Sequence, residues 1–237
     1  MKRFEILCVF PCVIALSLLC GQPARGQAAS EPRGGSAQAT GKYPKDIDPD
    51  SRNRLPLVQR EELDELGKKL YDEVVKNARS TVGFQGPGGL RLISPRLAET
   101  TEPVHRYLRY ETDMDPRLVE LAILVTAREF DQQFEWVQHE IAARKAGLEG
   151  DVIDVVKHRK PVTGLGEKEA TIIQWGREVF RAHKVSSDTF ARALKLFGKQ
   201  GMVNLASTFG QWTTTAILLT TFDQQLAPDQ KPLLPIP

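Results

Sequence analysis

The chain has 237 residues, of which 41% are hydrophobic and 7% aromatic, a composition that suits one globular domain with extensions. It carries 32 basic and 30 acidic residues, and 29 of each without its first 26 residues, where Lys2, Arg3, Arg25 and Glu5 lie. A chain without net charge gives no electrostatic support for nucleic acid or an anionic membrane as a partner.

The N-terminus has the features of a secretory signal. A basic start precedes an apolar run of about 15 residues (6–20), shorter than the roughly 20 residues that cross a membrane as a helix. We predict a signal peptide over residues 1–26, cleaved after Gly26, and export to the periplasm or the medium. Two alternatives stay open: a lipid anchor at Cys20, although Leu19 before it is not a small residue, and an uncleaved N-terminal anchor.

All three cysteines lie in that segment, at Cys8, Cys12 and Cys20. The mature chain is therefore expected to contain no thiol, which excludes disulfide bonds and thiol chemistry from it. Once the signal is removed, we expect no membrane association either.

Composition divides the rest of the chain into a linker and a helical domain. Residues 27–45 are rich in Gly, Ser, Ala and Gln and poor in large apolar residues, so we predict a disordered linker. Residues 46–237 have apolar residues at helical spacing and no strand pattern, which predicts an all-α domain of about seven or eight helices with an extended C-terminal tail. The predicted helices cover residues 61–78, 95–110, 116–130, 132–145, 151–158, 168–183, 188–197 and 200–222.

Three further segments of this domain have predicted roles. Residues 83–95 hold too many Gly and Pro for regular structure, so they are predicted to be a loop that walls a pocket, reaches a neighbouring subunit or simply connects two helices. The buried side of the next helix is predicted to consist of four residues: Leu97, Val104, Tyr107 and Leu108. Three apolar residues of the tail are predicted to pack on a partner subunit: Leu233, Leu234 and Ile236.

Capping residues mark the central pair of helices. Asp115 followed by Pro116 is a helix start, with Asp115 as N-cap and Pro116 at the first helical position, which needs no amide hydrogen. Asp131 is predicted to cap the next helix and Gly147 to end it. Gly198 predicts a break between the last two helices.

Three side chains of this helix pair are candidates for chemistry. Glu120 lies on a mostly apolar helix, so its carboxylate is expected to be partly buried and to need a partner, such as Arg117, or a raised pKa. Glu135 and His139 lie four residues apart and point the same way. The carboxylate can therefore orient the imidazole, raise its pKa and make it an acid or base near neutral pH. The alternative for that pair is an ion pair on the helix surface.

Metal and cofactor motifs are incomplete. His139 and Glu140 begin like a zinc-protease helix, but Ala143 stands where the second histidine belongs, and the spacing from Glu135 to His139 is not that of a di-iron bundle. A three-ligand site from Glu120, Glu135 and His139 is the remaining metal alternative. The sequence has no nucleophilic-serine elbow, phosphate-binding glycine loop or dinucleotide fingerprint, so we expect neither a metal nor a cofactor.

One motif spans the helix pair: Glu120-x11-Gln132-Gln133-Phe134-Glu135-Trp136-x2-His139, followed by Ala-x-x-x-Gly-Leu at residues 143–148. With segments at residues 166–170 and 185–190 and the apolar last helix, it resembles the carboxymuconolactone decarboxylase family, which includes the alkylhydroperoxidase D-like proteins. The resemblance covers about residues 55–222.

The resemblance implies an all-α fold of the alkylhydroperoxidase D type, assembled as a homo-oligomer (trimer or hexamer) with its site near subunit boundaries. The peroxidase branch uses a Cys-x-x-Cys pair. Here Gln132 and Glu135 occupy those two positions, while the family's glutamate and histidine match Glu120 and His139. Amide and carboxylate side chains cannot form a disulfide, so the resemblance implies the decarboxylase-type branch.

In that branch we expect a cofactor-free enzyme that decarboxylates or isomerises a small lactone or carbonyl acid. His139 is expected to move a proton, Glu135 to orient it, and Glu120 to carry a second proton or hold the histidine. Four residues are expected to contact the substrate: Arg128 as a carboxylate ligand, Phe134 and Trp136 as apolar walls, and Gln132. The alternative is a non-catalytic, exported oligomer that binds a small molecule.

Overall fold

The computed structural model describes residues 43–77 and 83–236. The predicted signal peptide over residues 1–26, and the predicted linker as far as residue 42, lie outside these described residues. The last part of the linker prediction lies inside them, where the Tyr43 hydroxyl donates a hydrogen bond to the Leu226 carbonyl oxygen at 3.2 Å.

The all-α prediction is confirmed: over residues 43–77 and 83–236 the chain forms eight α-helices and no β-strand. They are α1 (Glu65–Asn77), α2 (Pro87–Leu92), α3 (Pro95–Arg106), α4 (Pro116–Glu129), α5 (Gln133–Lys145), α6 (Gly150–Lys157), α7 (Glu167–Arg177) and α8 (Ser187–Thr221). Single π turns, Tyr107–Glu111 and Glu178–Ala182, continue α3 and α7. Within these ranges no helix combines the length and the apolar character needed to cross a membrane.

α4 is the centre of the fold because it is apolar on nearly every side. Residues 118–128 are all buried, and α4 packs against α5, α6, α7 and α8. Its predicted start is confirmed: Asp115 Oδ1 accepts a hydrogen bond from the Arg117 amide at 3.0 Å, and Pro116 is the first helical residue. A charged residue on this helix has to lie in the interior, which is where Glu120 lies.

The predicted N-cap of α5, Asp131, is wrong. Asp131 has a left-handed backbone conformation (φ 49°), whereas an N-cap needs an extended one. Gln132 is the N-cap instead, and its side chain accepts a hydrogen bond from the Phe134 amide at 3.1 Å. The Asp131 carboxylate pairs with Arg128 and Arg159, at nitrogen–oxygen distances of 3.1 and 2.9 Å.

The predicted loop over residues 83–95 is wrong because it contains α2. Pro87 is the first helical residue, where no amide hydrogen is needed, and it compensates for the poor helix propensity of the two glycines that follow. Leu90 and Leu92 are buried beneath this short helix. Burial of apolar side chains therefore outweighs the local preference of the glycines for irregular structure.

Gly88 and Gly89 of α2 offer a matched pair of substitutions. A Cβ atom at Gly89 would overlap the Phe84 carbonyl oxygen, whereas at Gly88 the nearest atom, the Gly83 carbonyl oxygen, is 3.6 Å away. We expect Gly89→Ala to lower the free energy of unfolding by about 1–3 kcal/mol through overpacking. Gly88→Ala should be neutral or stabilising by up to about 1 kcal/mol, because alanine favours the helix. Urea denaturation measures both, and equal stabilities would contradict this packing.

The predicted buried side of α3 is wrong at three of its four residues. The three are 42%, 48% and 38% exposed: Leu97, Val104 and Tyr107. Leu108 alone is buried. His105 and Arg109, four residues apart, point inward, and Arg109 reaches Glu120 of α4. The physical reason is that α3 covers a polar part of the interior, so its polar residues find their partners beneath it.

Glycine ends helical segments where the sequence predicts it. Gly147 after α5 (φ 88°) and Gly198 within α8 (φ 64°) are both in the left-handed region that favours glycine. α8 therefore consists of two helical segments that meet at Gly198. The second segment carries Trp212 and Thr215 to the interior beside α4 and α5.

The tail is attached to its own chain. Leu234 is buried in the main apolar core, so its predicted contact with a partner subunit is wrong. The Gln133 side chain accepts a hydrogen bond from the Leu234 amide at 2.8 Å and donates one to the Leu234 carbonyl oxygen at 3.3 Å. Leu233 and Ile236 are exposed.

Candidate functional site

The structure brings Glu120 and His139 together. Glu120 comes from α4 and His139 from α5, which packs against it, and the distance from Glu120 Oε2 to His139 Nδ1 is 2.7 Å. Both side chains are buried. This hydrogen bond between an acid and an imidazole, away from bulk water, fixes the orientation of the ring.

Arg109 is the second partner of Glu120. Its Nε and Nη2 atoms donate to Glu120 Oε1 at 3.1 and 3.0 Å. Arg117, the partner suggested by the sequence, pairs with two other carboxylates. Burial alone would raise the pKa of Glu120, but His139 and Arg109 outweigh burial through charge and hydrogen bonds and hold this pKa below its usual range. Glu120 is therefore a carboxylate at neutral pH.

Trp212 binds the other side of the His139 ring. Its indole N–H donates to His139 Nε2 at 3.2 Å, so Nε2 is the unprotonated nitrogen and Nδ1 carries the proton that bonds Glu120. Burial lowers the pKa of His139, although the Glu120 carboxylate opposes this change. His139 is thus a neutral imidazole with both nitrogens hydrogen-bonded.

Glu135 does not orient His139, which corrects the predicted role of this pair. Glu135 is 2% exposed, and neither carboxyl oxygen has a hydrogen-bond partner in the described part of the chain. The alternative of a surface ion pair is wrong for the same reasons. Burial raises the pKa of Glu135 well above its usual value, and Arg91 offsets only part of this effect. Glu135 therefore keeps its proton at pH values where an exposed glutamate has lost it.

Three further residues complete the site. Arg91 of α2 donates from Nη2 to Thr215 Oγ1 of α8 at 2.5 Å. The ring of His105 from α3 lies 5.2 Å from that of Trp212, and burial, together with nearby guanidinium groups, lowers the pKa of His105 to about 3. We call these eight residues the polar cluster: Arg91, His105, Arg109, Glu120, Glu135, His139, Trp212 and Thr215.

Two of the predicted substrate ligands serve the fold. Arg128 is buried, and its Nη1 atom donates to the Pro235 carbonyl oxygen at 2.9 Å in addition to its ion pair with Asp131. Gln132 caps α5 and donates from Nε2 to Thr220 Oγ1 at 3.0 Å. Arg128 thus attaches the tail, and Gln132 links the start of α5 to the end of α8.

The two predicted apolar walls, Phe134 and Trp136, contact other parts of the molecule. The indole N–H of Trp136 donates to Glu140 Oε2 at 2.7 Å, and the Lys157 ammonium lies 5.7 Å from its ring. Phe134 lines a groove of about 510 Å³ between the start of α5 and the tail. The aromatic side chain against His139 is Trp212.

Metal binding by the three predicted candidates is opposed by their hydrogen bonds. Arg109 and His139 occupy both oxygens of Glu120, and Trp212 occupies the second nitrogen of His139. Over residues 43–77 and 83–236, no group of three or more His, Cys, Asp or Glu residues is arranged to hold a metal ion.

Sequence reasoning missed five members of the polar cluster: Arg91, His105, Arg109, Trp212 and Thr215. His105 and Arg109 have the same four-residue spacing that singled out Glu135 and His139, so the same rule finds them if it is applied to α3. The apolar residues of α3 obscured this signal. Arg91 lay in the predicted loop, and no local pattern marks Trp212 or Thr215.

Compared with models of known protein families and with curated proteins, the chain matches none. The resemblance to a family is therefore carried by the residue motifs of α4 and α5 and the segments that follow them.

Proposed function

We propose that the protein is a cofactor-free acid/base enzyme of the carboxymuconolactone decarboxylase type, which decarboxylates or isomerises a small lactone or carbonyl acid. The observation that carries this proposal is that one cluster holds two buried carboxyl groups in opposite surroundings. Glu120 is hydrogen-bonded to Arg109 and His139, which lower its pKa, whereas Glu135 has no hydrogen-bond partner within residues 43–77 and 83–236, so that burial raises its pKa. Two acidic groups whose pKa values are shifted in opposite directions can supply the base and the acid of such a reaction. The motif around Glu120 and His139 supports the same function.

Glu135 is the proton donor in this proposal. In decarboxylation, the bond between the carboxylate carbon and its neighbour breaks, its electron pair moves into the lactone carbonyl or enone of the substrate, and CO₂ leaves. The Glu135 hydroxyl then gives its proton to the carbon that lost CO₂. In isomerisation, a base removes a proton from a carbon beside the carbonyl and Glu135 delivers one at a second position.

The base is the hydrogen-bonded pair of Glu120 and His139. The Trp212 N–H engages the lone pair of His139 Nε2, so that bond has to open before His139 accepts a substrate proton. The imidazolium that forms then lies 2.7 Å from the Glu120 carboxylate, which stabilises its charge. Trp212 therefore controls when the base is free.

We infer that the protein works outside the cytoplasm as a homo-oligomer, a trimer or hexamer. The predicted signal peptide supports the location. Exposed apolar side chains support the assembly, because contact with another copy buries them. Four of them lie on α3 and α8: Leu97, Val104, Val203 and Ile217.

A non-catalytic, exported oligomer that binds a small molecule is the second candidate. The observation that favours it is that both ring nitrogens of His139 are hydrogen-bonded within the chain, as in a structural histidine. In that case the polar cluster recognises a ligand without converting it.

His139→Asn distinguishes the two candidates, because the asparagine amide can still donate to Glu120 but cannot carry a proton. Wild-type protein is first screened for CO₂ release and lactone isomerisation on a panel of lactone and carbonyl acids. We expect turnover, and a rate about 10²–10⁴-fold lower in His139→Asn at an unchanged Tm. His158→Asn, at the exposed end of α6, is the control and should keep the full rate. Binding of panel compounds without turnover, or full activity of His139→Asn, would reject the enzyme.

A further inference from the structure

The half-buried guanidinium of Arg91 has no ion-pair partner among the residues that the structure describes. Its Nη2 atom donates to Thr215 Oγ1. Within residues 43–77 and 83–236, no carboxylate oxygen lies within 4.0 Å of its nitrogens. Removing a cation from water is costly unless an anion compensates for it. The position therefore favours an anionic partner from outside these residues.

Three buried polar atoms near Arg91 also lack hydrogen-bond partners in the described ranges: both carboxyl oxygens of Glu135 and Nδ1 of His105. The charge of Arg91 acts on both groups. It opposes the rise that burial causes in the pKa of Glu135, and it adds to the fall that burial causes in the pKa of His105. Buried polar atoms are normally hydrogen-bonded. Three exceptions beside one uncompensated guanidinium point to a ligand that they share.

We propose that Arg91, positioned by its hydrogen bond to Thr215, binds the carboxylate of a small organic acid, and that Glu135 and His105 hydrogen-bond the same molecule. This inference rests on the proposed function and names the residues that would bind the carboxylate of its substrate. The planar guanidinium has further donors besides Nη2, and their geometry matches the two oxygens of a carboxylate. Arg91 thus takes the role that the sequence suggested for Arg128.

The charges of the cluster favour a monoanion. Glu120 compensates for the charge of Arg109, so one positive charge, that of Arg91, remains to be balanced. A phosphate dianion would add a second negative charge beside the acidic residues, and a metal cation would be repelled by Arg91. Glu102 of α3 is the competing partner, because its exposed carboxylate also acts on Arg91 and lies 4.0 Å from His105 Nδ1.

Isothermal titration with two carboxylates, benzoate and levulinate (4-oxopentanoate), tests the proposal. Their neutral amides and inorganic phosphate are the comparison ligands. We expect wild-type protein to bind at least one carboxylate and neither its amide nor phosphate. Arg91→Gln should weaken this binding by about 10- to 100-fold, because a charge-assisted hydrogen bond is lost. Arg96→Gln removes the same charge at an exposed position of α3 and should leave the affinity within about twofold of wild type.

Thr215→Val is a second test variant in case Arg91→Gln does not fold, because it keeps the guanidinium and removes only its hydroxyl partner. It should weaken carboxylate binding by about 3- to 10-fold at an unchanged Tm. Absence of carboxylate binding by wild type, equal affinity of Arg91→Gln, or preferential binding of phosphate would each overturn the proposal. Carboxylate binding through Arg91 without any turnover would reject the enzyme but keep this site. Turnover that Arg91→Gln leaves unchanged would keep the enzyme but reject this carboxylate site.

Discussion

Glu120→Leu is expected to lower the free energy of unfolding by about 3–5 kcal/mol. The substitution leaves the Arg109 guanidinium, whose side chain is 21% exposed, without its counter-ion, and the His139 Nδ1–H without its acceptor. Both groups then remain desolvated and unpaired, which is more costly than the loss of the contacts themselves. Urea denaturation at neutral pH, followed by circular dichroism, measures the change.

A double substitution separates the unpaired charge from the general effect of altering α4. Arg109→Met combined with Glu120→Leu removes both charges and should recover most of the lost stability, because apolar side chains of similar size replace a buried ion pair well. Asp72→Ala breaks the exposed pair between Asp72 and Arg60 and should change the free energy of unfolding far less than Glu120→Leu does. If the double variant is as unstable as Glu120→Leu alone, the ion pair is not the cause.

Glu135 is expected to show the opposite effect on stability together with a large effect on turnover. Glu135→Leu should raise the free energy of unfolding by about 1–3 kcal/mol, because an apolar side chain of similar size replaces a buried acid that has no hydrogen bond within the described part of the chain. Glu135→Gln should lower the turnover rate by about 10²–10⁴-fold, because the amide cannot deliver a proton. Such an exchange of stability for activity is typical of functional residues.

The stability difference between wild type and Glu135→Leu should grow with pH. Burial raises the pKa of Glu135 in the folded protein above its value in the unfolded chain. The stability that the folded protein gains by holding this proton is therefore complete below the usual carboxyl pKa. It is lost as the pH rises through the pKa of Glu135 in the folded state. Urea denaturation of both proteins across a pH series measures this loss, which Glu135→Leu lacks.

Glu140, five residues further along α5, provides the control. It is also buried, but Trp136, Arg144 and Lys157 all contact its carboxylate. Glu140→Leu should therefore destabilise the protein, and the two substitutions should differ in sign. Destabilisation by Glu135→Leu of the same size would mean that the Glu135 carboxyl has a partner and a structural role.

The architecture around α4 was predictable because its signals are local. A long apolar run, the Asp115 cap with Pro116, and glycines at 147 and 198 each determine the backbone within a few residues. The predictions of secondary structure were wrong where tertiary packing, not local sequence, determines the conformation. α2 exists because its leucines are buried, although its glycines disfavour a helix.

The candidate site was only half predictable, for a related reason. Glu120 and His139 are acidic and basic groups in apolar surroundings, which the sequence displays directly. Helical spacing placed Glu135 and His139 on one side of α5, but spacing does not determine which neighbour a side chain meets across a helix interface. The carboxylate that is hydrogen-bonded to His139 is that of Glu120 from α4, not that of Glu135. Arg91 and Trp212 reach the site from segments far away in sequence, so only the folded chain brings them there.

α3 has no buried side chain between Pro95 and Arg106, and its apolar residues face outward. Its inner side is held by polar contacts, above all that of Arg109 just beyond its end with Glu120. α3 is thus held over the polar cluster by an ion pair with one of the members of that cluster. Any change that breaks the pair between Arg109 and Glu120 therefore acts on the cluster and on the segment that covers it at the same time.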